Sequence, residues 1–341
     1  RQDAWDGVIE AANRHLVAPA LYVCLRERRL LADVPKEVHS YLAFLHDLNE
    51  ERNRRLRAQA TECIEAMNAA GIEPLLIKGT ALLMLLGEER LGCRMMSDLD
   101  LVVADSDTNL AHDPPDPDRG WRQEYAQDAG SVAISHRLDG HSVGASALAL
   151  KRIRELGYAP LEDSAGPHAL GKFFRSQDAA ALDLHSRPPG PQALFENDAP
   201  DARRAVRQGR LRFFVPSNEE WIVQLIAHDM IRDRRLFTGI VDLRRLLDCR
   251  EILTMGRTVD WDRVRRRLSS PMLALARDVF FLNLERFAGV PATGRKAGVL
   301  ARLFHRRQRA IECSPAVRRL DASVISTLLA LWRGARGMKP Q

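Results

Sequence analysis

Arg94-Met95-Met96-Ser97-Asp98-Leu99-Asp100-Leu101-Val102-Val103 decides the reading of this chain. Leu99 and Leu101 to Val103 have the character of a buried strand, yet Asp98 and Asp100 stand two apart within it. Successive strand side chains point to opposite faces, so residues i and i+2 share one face about 6.6 Å apart. Two such carboxylates, with charges about 6 Å apart, repel by roughly 2.8 kcal/mol at an effective dielectric near 20, unless a cation or a proton lies between them. Mg²⁺ takes oxygen ligands, commonly one or two carboxylates together with substrate phosphates. A metal site is the reading that explains the pair. If the pair is a metal site, Asp100→Asn is expected to abolish activity with the fold intact and to stabilise the ion-free protein by a fraction of that repulsion, whereas an aspartate with a structural role would lose stability on the same change.

The residues upstream sharpen this. Ile72-Glu73-Pro74-Leu75-Leu76-Ile77 is a short apolar run suited to a strand, Lys78-Gly79-Thr80 breaks it, and Ala81 to Leu86 forms a helix. Where a strand turns into a helix, free backbone N–H groups and the positive end of the helix dipole face the turn. A triphosphate is a natural guest there. Lys78 and Arg94 add positive charge, and Lys78 is equally suited to a structural ion pair.

Residues 72–103 resemble the signature of the nucleotidyltransferase superfamily typified by DNA polymerase beta, in which a Gly-Ser or Gly-Gly turn precedes an Asp-x-Asp strand. More narrowly, Lys78-Gly79, Arg94, Asp98-Leu99-Asp100-Leu101 and a later Asp-x-His are similar to a bacterial family of uncharacterised nucleotidyltransferase-like proteins. Thr80 stands where the superfamily usually has Ser or Gly, which keeps a hydroxyl. The resemblance implies a third carboxylate on a neighbouring strand, and Ala180-Ala181-Leu182-Asp183-Leu184-His185 is the candidate. Its alternation gives one apolar and one polar face, with His185 beside Asp183 as a possible substrate contact. Phe173, Phe174 and Ser176-Gln177-Asp178 suggest a hairpin feeding that strand.

Between these motifs lies an irregular insertion at about 104–146, which includes Asp113-Pro114-Pro115-Asp116-Pro117. So long a stretch without periodicity suits a mobile substrate flap or disorder. Trp121, Tyr125, His136 and His141 fall within it, with no ligand-like spacing among the histidines. An amphipathic helix follows from Leu148 to Leu156, stopping at Gly157.

The wider chain reads as helix, sheet, helix: an N-terminal helical region at 1–71, the nucleotidyltransferase-like core at 72–190, and a C-terminal helical domain at 191–341. Pro188-Pro189-Gly190-Pro191 marks the second boundary, and Ser217-Asn218-Glu219-Glu220 resembles a helix start with capping and first-turn acids. Ile240 to Leu247 is read as a further helix. His228 and Asp242 match positions where resembling proteins carry His and Asp, and a buried polar contact between two helices is their expected role.

With 341 residues and 45% hydrophobic content, the chain can bury two cores. Five scattered cysteines (Cys24, Cys63, Cys93, Cys249, Cys313) suit a reducing compartment, and no stretch has the ~20 apolar residues of a membrane span. A cytoplasmic location is expected. The sequence opens at Arg1 without a methionine, so its N-terminus is open to trimming.

The net charge of +6 gathers in arginine clusters: Arg263 with Arg265 to Arg267, Arg302 with Arg306, Arg307 and Arg309, and Arg318 with Arg319. Such clusters suit phosphate contacts or, alternatively, solvated helix faces paired with acids. An aromatic content of 6% argues against a platform for stacking single-stranded bases.

The expected protein is therefore α+β, a small polymerase-beta-like sheet flanked by helical regions. Asp98, Asp100 and Asp183 are its expected catalytic and metal-binding acids, Asp98 and Asp100 holding two Mg²⁺ ions that clamp the attacking and leaving oxygens and Asp183 binding the one that activates the acceptor. Lys78, Gly79, Thr80 and Arg94 are the expected nucleotide-binding residues. The expected reaction moves a nucleoside monophosphate from an NTP to a hydroxyl of a small molecule, tRNA, peptide or protein. The alternative is a non-catalytic or RNA-binding protein that keeps the fold and acts through its arginines.

Overall fold

The computed structural model describes residues 2–104, 144–161, 169–188, 202–255, 258–291, 297–314, 316–321 and 323. Most of the insertion, with Trp121, Tyr125, His136 and His141, lies outside the described residues. The chain divides into two units, Arg1–Trp221 and Ile222–Gln341.

The first unit opens with helices α1 (Gln2–Arg14), α2 (Ala18–Glu27) and α3 (Lys36–Ala69). At 34 residues α3 is about 50 Å long. Its C-terminal half buries Leu56, Ala60, Cys63, Ile64 and Met67, a spacing of three and four that presents one apolar stripe to the sheet. Gly71, with φ +77°, turns the chain out of α3, in keeping with the stop expected there.

Strand β1 (Leu75–Leu76) is followed at once by α4 (Lys78–Leu85), and β2 (Asp98–Val102) comes after a 3₁₀ segment. Then follow α5 (Ala145–Glu155), β3 (Ala159–Pro160), β4 (Ala169–Phe174), β5 (Ala181–His185), β6 (Arg203–Gln208) and β7 (Leu211–Pro216). The seven strands form one mixed sheet in the order β3-β4-β5-β2-β1-β7-β6. The predicted hairpin is present as antiparallel β4 and β5. β5 then runs parallel to β2, with Asp98 opposite Ala181, Asp100 opposite Asp183 and Val102 opposite His185. Leu99, Leu101, Leu182 and Leu184 are fully buried, so the apolar residues of both strands fix this register. A slip of one residue would turn every one of these side chains to the other face.

The expected boundary at 190/191 falls inside the first unit, because β6 and β7 occupy part of the stretch read as helical. β7 pairs with β1, Leu75 opposite Phe214, and Phe213 and Val215 are fully buried. Partners distant in sequence give these short strands their place in the sheet.

α6 (Asn218–Ile226) starts where the capping pattern placed it and continues into a π-helical turn at Ala227–Arg232. The second unit is helical, with α7 (Leu243–Thr254), α8 (Trp261–Arg267), α9 (Pro271–Ala288) and α10 (Val299–Cys313). The helix expected from Ile240 begins at Leu243 instead, because the Asp242 side chain accepts the Arg244 N–H and caps it. His228 pairs with Asp233 at 3.3 Å, whereas Asp242 pairs with Arg244, also at 3.3 Å. The two residues thus serve separate local contacts. No helix among the described residues is long and apolar enough to cross a membrane.

Candidate active site

The site forms where β1 gives way to α4. Ile77 is extended, with φ −126° and ψ 170°, and Lys78 takes φ +50°. A left-handed lysine occupies a sparsely populated region costing of order 1 kcal/mol, and such residues gather at functional sites. The Lys78 Nζ lies 2.6 Å from Asp100 Oδ1 on the adjacent strand. Of the two roles open to Lys78, the structure shows the ion pair.

Gly79 lies under the Arg94 guanidinium. A Cβ there would stand 2.3 Å from Arg94 Nη1 and 2.7 Å from its Cζ, so a larger residue would displace the guanidinium from the turn. Thr80 is fully buried, and its Oγ1 accepts the Asp100 N–H at 2.7 Å. Its own N–H is donated to the Ile77 carbonyl. The Thr80 hydroxyl is thereby spent on fixing β2 against α4, a positioning role.

Asp100, Asp183 and His185 form a compact cluster whose potential ligand atoms lie within 4.8 Å of one another. His185 Nε2 is 3.3 Å from Asp100 Oδ1 and 3.6 Å from Asp183 Oδ1. Asp98 shares their strand face but stands outside this cluster. It is half-buried, accepts the Ser97 hydroxyl at 3.0 Å, and lies within the field of Arg52.

Electrostatics divides the two clustered acids. Burial alone would raise Asp100, but the Lys78 charge and hydrogen bonds from His185 and Lys78 hold it well below the ordinary carboxylate range. Burial pushes Asp183 upward, and the Asp100 charge adds to this against the opposing charges of His185, Lys78 and Lys172. The expected Asp98–Asp100 repulsion is therefore not the dominant feature of the ion-free site. Lys78 already neutralises Asp100. As a donor set, two carboxylates and an imidazole fit a divalent cation.

Sequence reasoning missed what holds these loops in place. Asn49 Nδ2 donates to the carbonyls of Gly92 (2.7 Å) and Arg94 (3.0 Å). Asn53 Nδ2 donates to those of Leu91 (2.7 Å) and Arg94 (2.8 Å). Arg52 reaches the carbonyls of Met96 and Ala179, and Gln59 donates to Ala180 O at 2.9 Å. A polar stripe on α3 thus ties down the segment before β2 and the segment before β5. Amides at Asn49, Asn53 and Gln59, at most 5% exposed, interrupt what is otherwise an apolar helix face. Their helical spacing was the available signal.

The family of uncharacterised nucleotidyltransferases matches residues 1–288. This chain belongs to that family. No curated protein and no solved structure gave a match to it. Family membership makes nucleotidyl transfer the general activity class, and members of that class generally use divalent metals. The matched span covers the whole sheet-bearing unit and extends into the helical one.

Proposed function

We propose that this chain transfers a nucleoside monophosphate from an NTP to a hydroxyl of an acceptor, with pyrophosphate leaving. The observation that carries the reading is the register of β2 and β5, which sets Asp100 beside Asp183 next to the Lys78-Gly79 turn. In the proposed reaction the acceptor oxygen forms a bond to the α-phosphorus while the bond to the β-bridging oxygen breaks. The acceptor proton leaves toward Asp183. A bound divalent ion supplies Lewis-acid stabilisation of the transferring phosphoryl group. Asp100 and Asp183 would hold that ion, with Asp98 at the edge of their cluster. Gly79 lets the triphosphate approach the helix start. Arg94 and Lys78 would neutralise charge on the departing pyrophosphate.

The basic surface offers less support for an RNA-binding role. Arg265 pairs with Asp262 at 2.9 Å, Arg266 with Asp260 at 3.7 Å, Arg307 with Asp321 at 2.7 Å and Arg318 with Glu312 at 3.5 Å. Members of all three clusters therefore spend charge on local acids.

The test is incubation with each of the four NTPs, labelled at the α-phosphate, with Mg²⁺ or Mn²⁺ and a panel of hydroxyl-bearing small molecules, tRNA and peptides. Pyrophosphate release and the mass of one added nucleotide are read together. Transfer that is lost in Asp100→Asn supports the reading. Absence of transfer, together with absence of any NTP-dependent thermal shift, would overturn it.

A further inference from the structure

Residues 289–341 lie beyond the family match and hold eleven Lys and Arg against two acids, a net charge of +9. The 288 matched residues hold 40 basic and 43 acidic side chains, a net charge of −3. The positive excess of the chain is thus gathered in one segment outside the nucleotidyltransferase match, and α10 is its main described element. We propose that α10 lies on an anionic lipid surface, with Val299, Leu300 and Leu303 entering the interface and Arg302, Arg306 and Arg309 meeting the headgroups.

The inner side of α10 fixes its rotation. Ala301, Gln308 and Ile311 are buried. Asn283 Nδ2 of α9 donates to Gln308 Oε1 at 2.7 Å, and Gln308 Nε2 donates to the Arg235 carbonyl at 3.2 Å. Turning the helix would strand these buried amides. The outer side is thereby settled. Val299, Leu300 and Leu303 are 67%, 55% and 53% exposed, and at 3.6 residues per turn they share an arc of about 100°. Arg302, Arg306 and Arg309, all exposed, fill the adjoining arc of roughly 60°. Among the described residues none of these three is in an ion pair, in contrast to Arg307 with Asp321 and Arg318 with Glu312.

The two arcs together choose the occupant. Exposed aliphatic side chains side by side mark a surface that something covers, and the arginines beside them select a negatively charged cover. RNA would meet the arginines but has no use for leucine, since it offers phosphates and bases that stack on aromatic rings. An anionic bilayer meets both arcs. A helix with a basic and an aliphatic side lies in the headgroup plane with its apolar side at the acyl boundary, and each arginine near such a surface strengthens attachment about fivefold. At 15 residues α10 suits lying on a bilayer and is too short to span one.

The experiment floats the full chain with vesicles of phosphatidylcholine alone or with about a third phosphatidylglycerol. At least tenfold more protein should rise with the anionic vesicles, and added salt should release it. Leu300→Ser with Leu303→Ser should lower this binding at least tenfold, as should Arg302→Gln with Arg306→Gln and Arg309→Gln. Thermal melts check that both variants keep the parent's stability, as changes at exposed positions should. If either melts lower, Leu303→Trp decides: brominated acyl chains should quench its added emission, and no extra quenching overturns the inference. No enrichment on anionic vesicles, or equal binding to neutral ones, overturns it too. So does binding that needs the arginines but not the leucines and that tRNA displaces, which would make the helix a site for nucleic acid. None of these results bears on nucleotidyl transfer, which is assayed without vesicles.

Discussion

Asp100→Asn is the most informative single change, because the structure reverses the effect expected from sequence. Lys78 Nζ lies 2.6 Å from Asp100 Oδ1, an attraction of about 6 kcal/mol at an effective dielectric near 20. Asp183 offers an atom within 4.8 Å, a repulsion of about 3.5 kcal/mol on the same scale if both acids are ionised. Attraction wins by roughly 3 kcal/mol. Lys78 is 22% exposed and regains some hydration when released, so the ion-free variant should lose about 2 kcal/mol, less than the 3–5 of a fully buried broken pair. In a unit spanning Arg1–Trp221 this lowers the melting temperature by roughly 4–8 °C. Thermal melts of parent and variant in a chelator, then with Mn²⁺ or Mg²⁺, supply the comparison. The parent should gain stability from the ion by mass action and the variant should not. A variant that melts above its parent without metal would refute the reasoning, since carboxylate repulsion would then outweigh the lysine pair.

Three further outcomes are expected. Lys78→Met removes the cation that competes for Asp100, so Mn²⁺ alone should bind severalfold more tightly by titration while NTP-dependent turnover falls; unchanged metal affinity would show that Lys78 does not screen the acid. Thr80→Val strips the acceptor from the buried Asp100 N–H and should cost about 1–3 kcal/mol in urea unfolding, with Thr80→Ser restoring most of it; equal stability of Val and Ser variants would argue against the positioning role. Asp229, fully buried in the second unit, is pushed up to about 8 by burial and then by the charge of Asp242, against Arg245 and Arg235. Between the ordinary carboxylate value and that pH, the unfolded chain has lost a proton that the folded chain keeps. Stability should therefore fall by about 1.4 kcal/mol per pH unit as pH rises through this window and level off above it. Asp229→Asn should remove this slope, and parallel curves for parent and variant would contradict it.

The sequence by itself determined the elements that carry chemistry. Alternation around Asp98-Leu99-Asp100-Leu101 and around Leu182-Asp183-Leu184-His185 specified two strands, because burying their leucines leaves a single choice of outward face. The break from the apolar run Leu75-Leu76-Ile77 to Lys78-Gly79-Thr80 and the helix-forming run after it specified the turn. Tertiary structure alone decided which of these residues meet. The parallel register of β2 and β5 pairs Asp100 with Asp183 across more than eighty residues of chain, and no local pattern encodes a partner so distant. The same is true of β6 and β7, short strands whose place in the sheet depends on pairing with each other and with β1. It is true also of the roles within the site. Thr80 turned inward to Asp100, Lys78 closed on it, and Asp98 stayed at the edge beside Arg52. Hydrogen-bond partners and charge neighbours are set by three-dimensional distance, and the polar stripe of α3 that fixes those distances looks in sequence like ordinary helix.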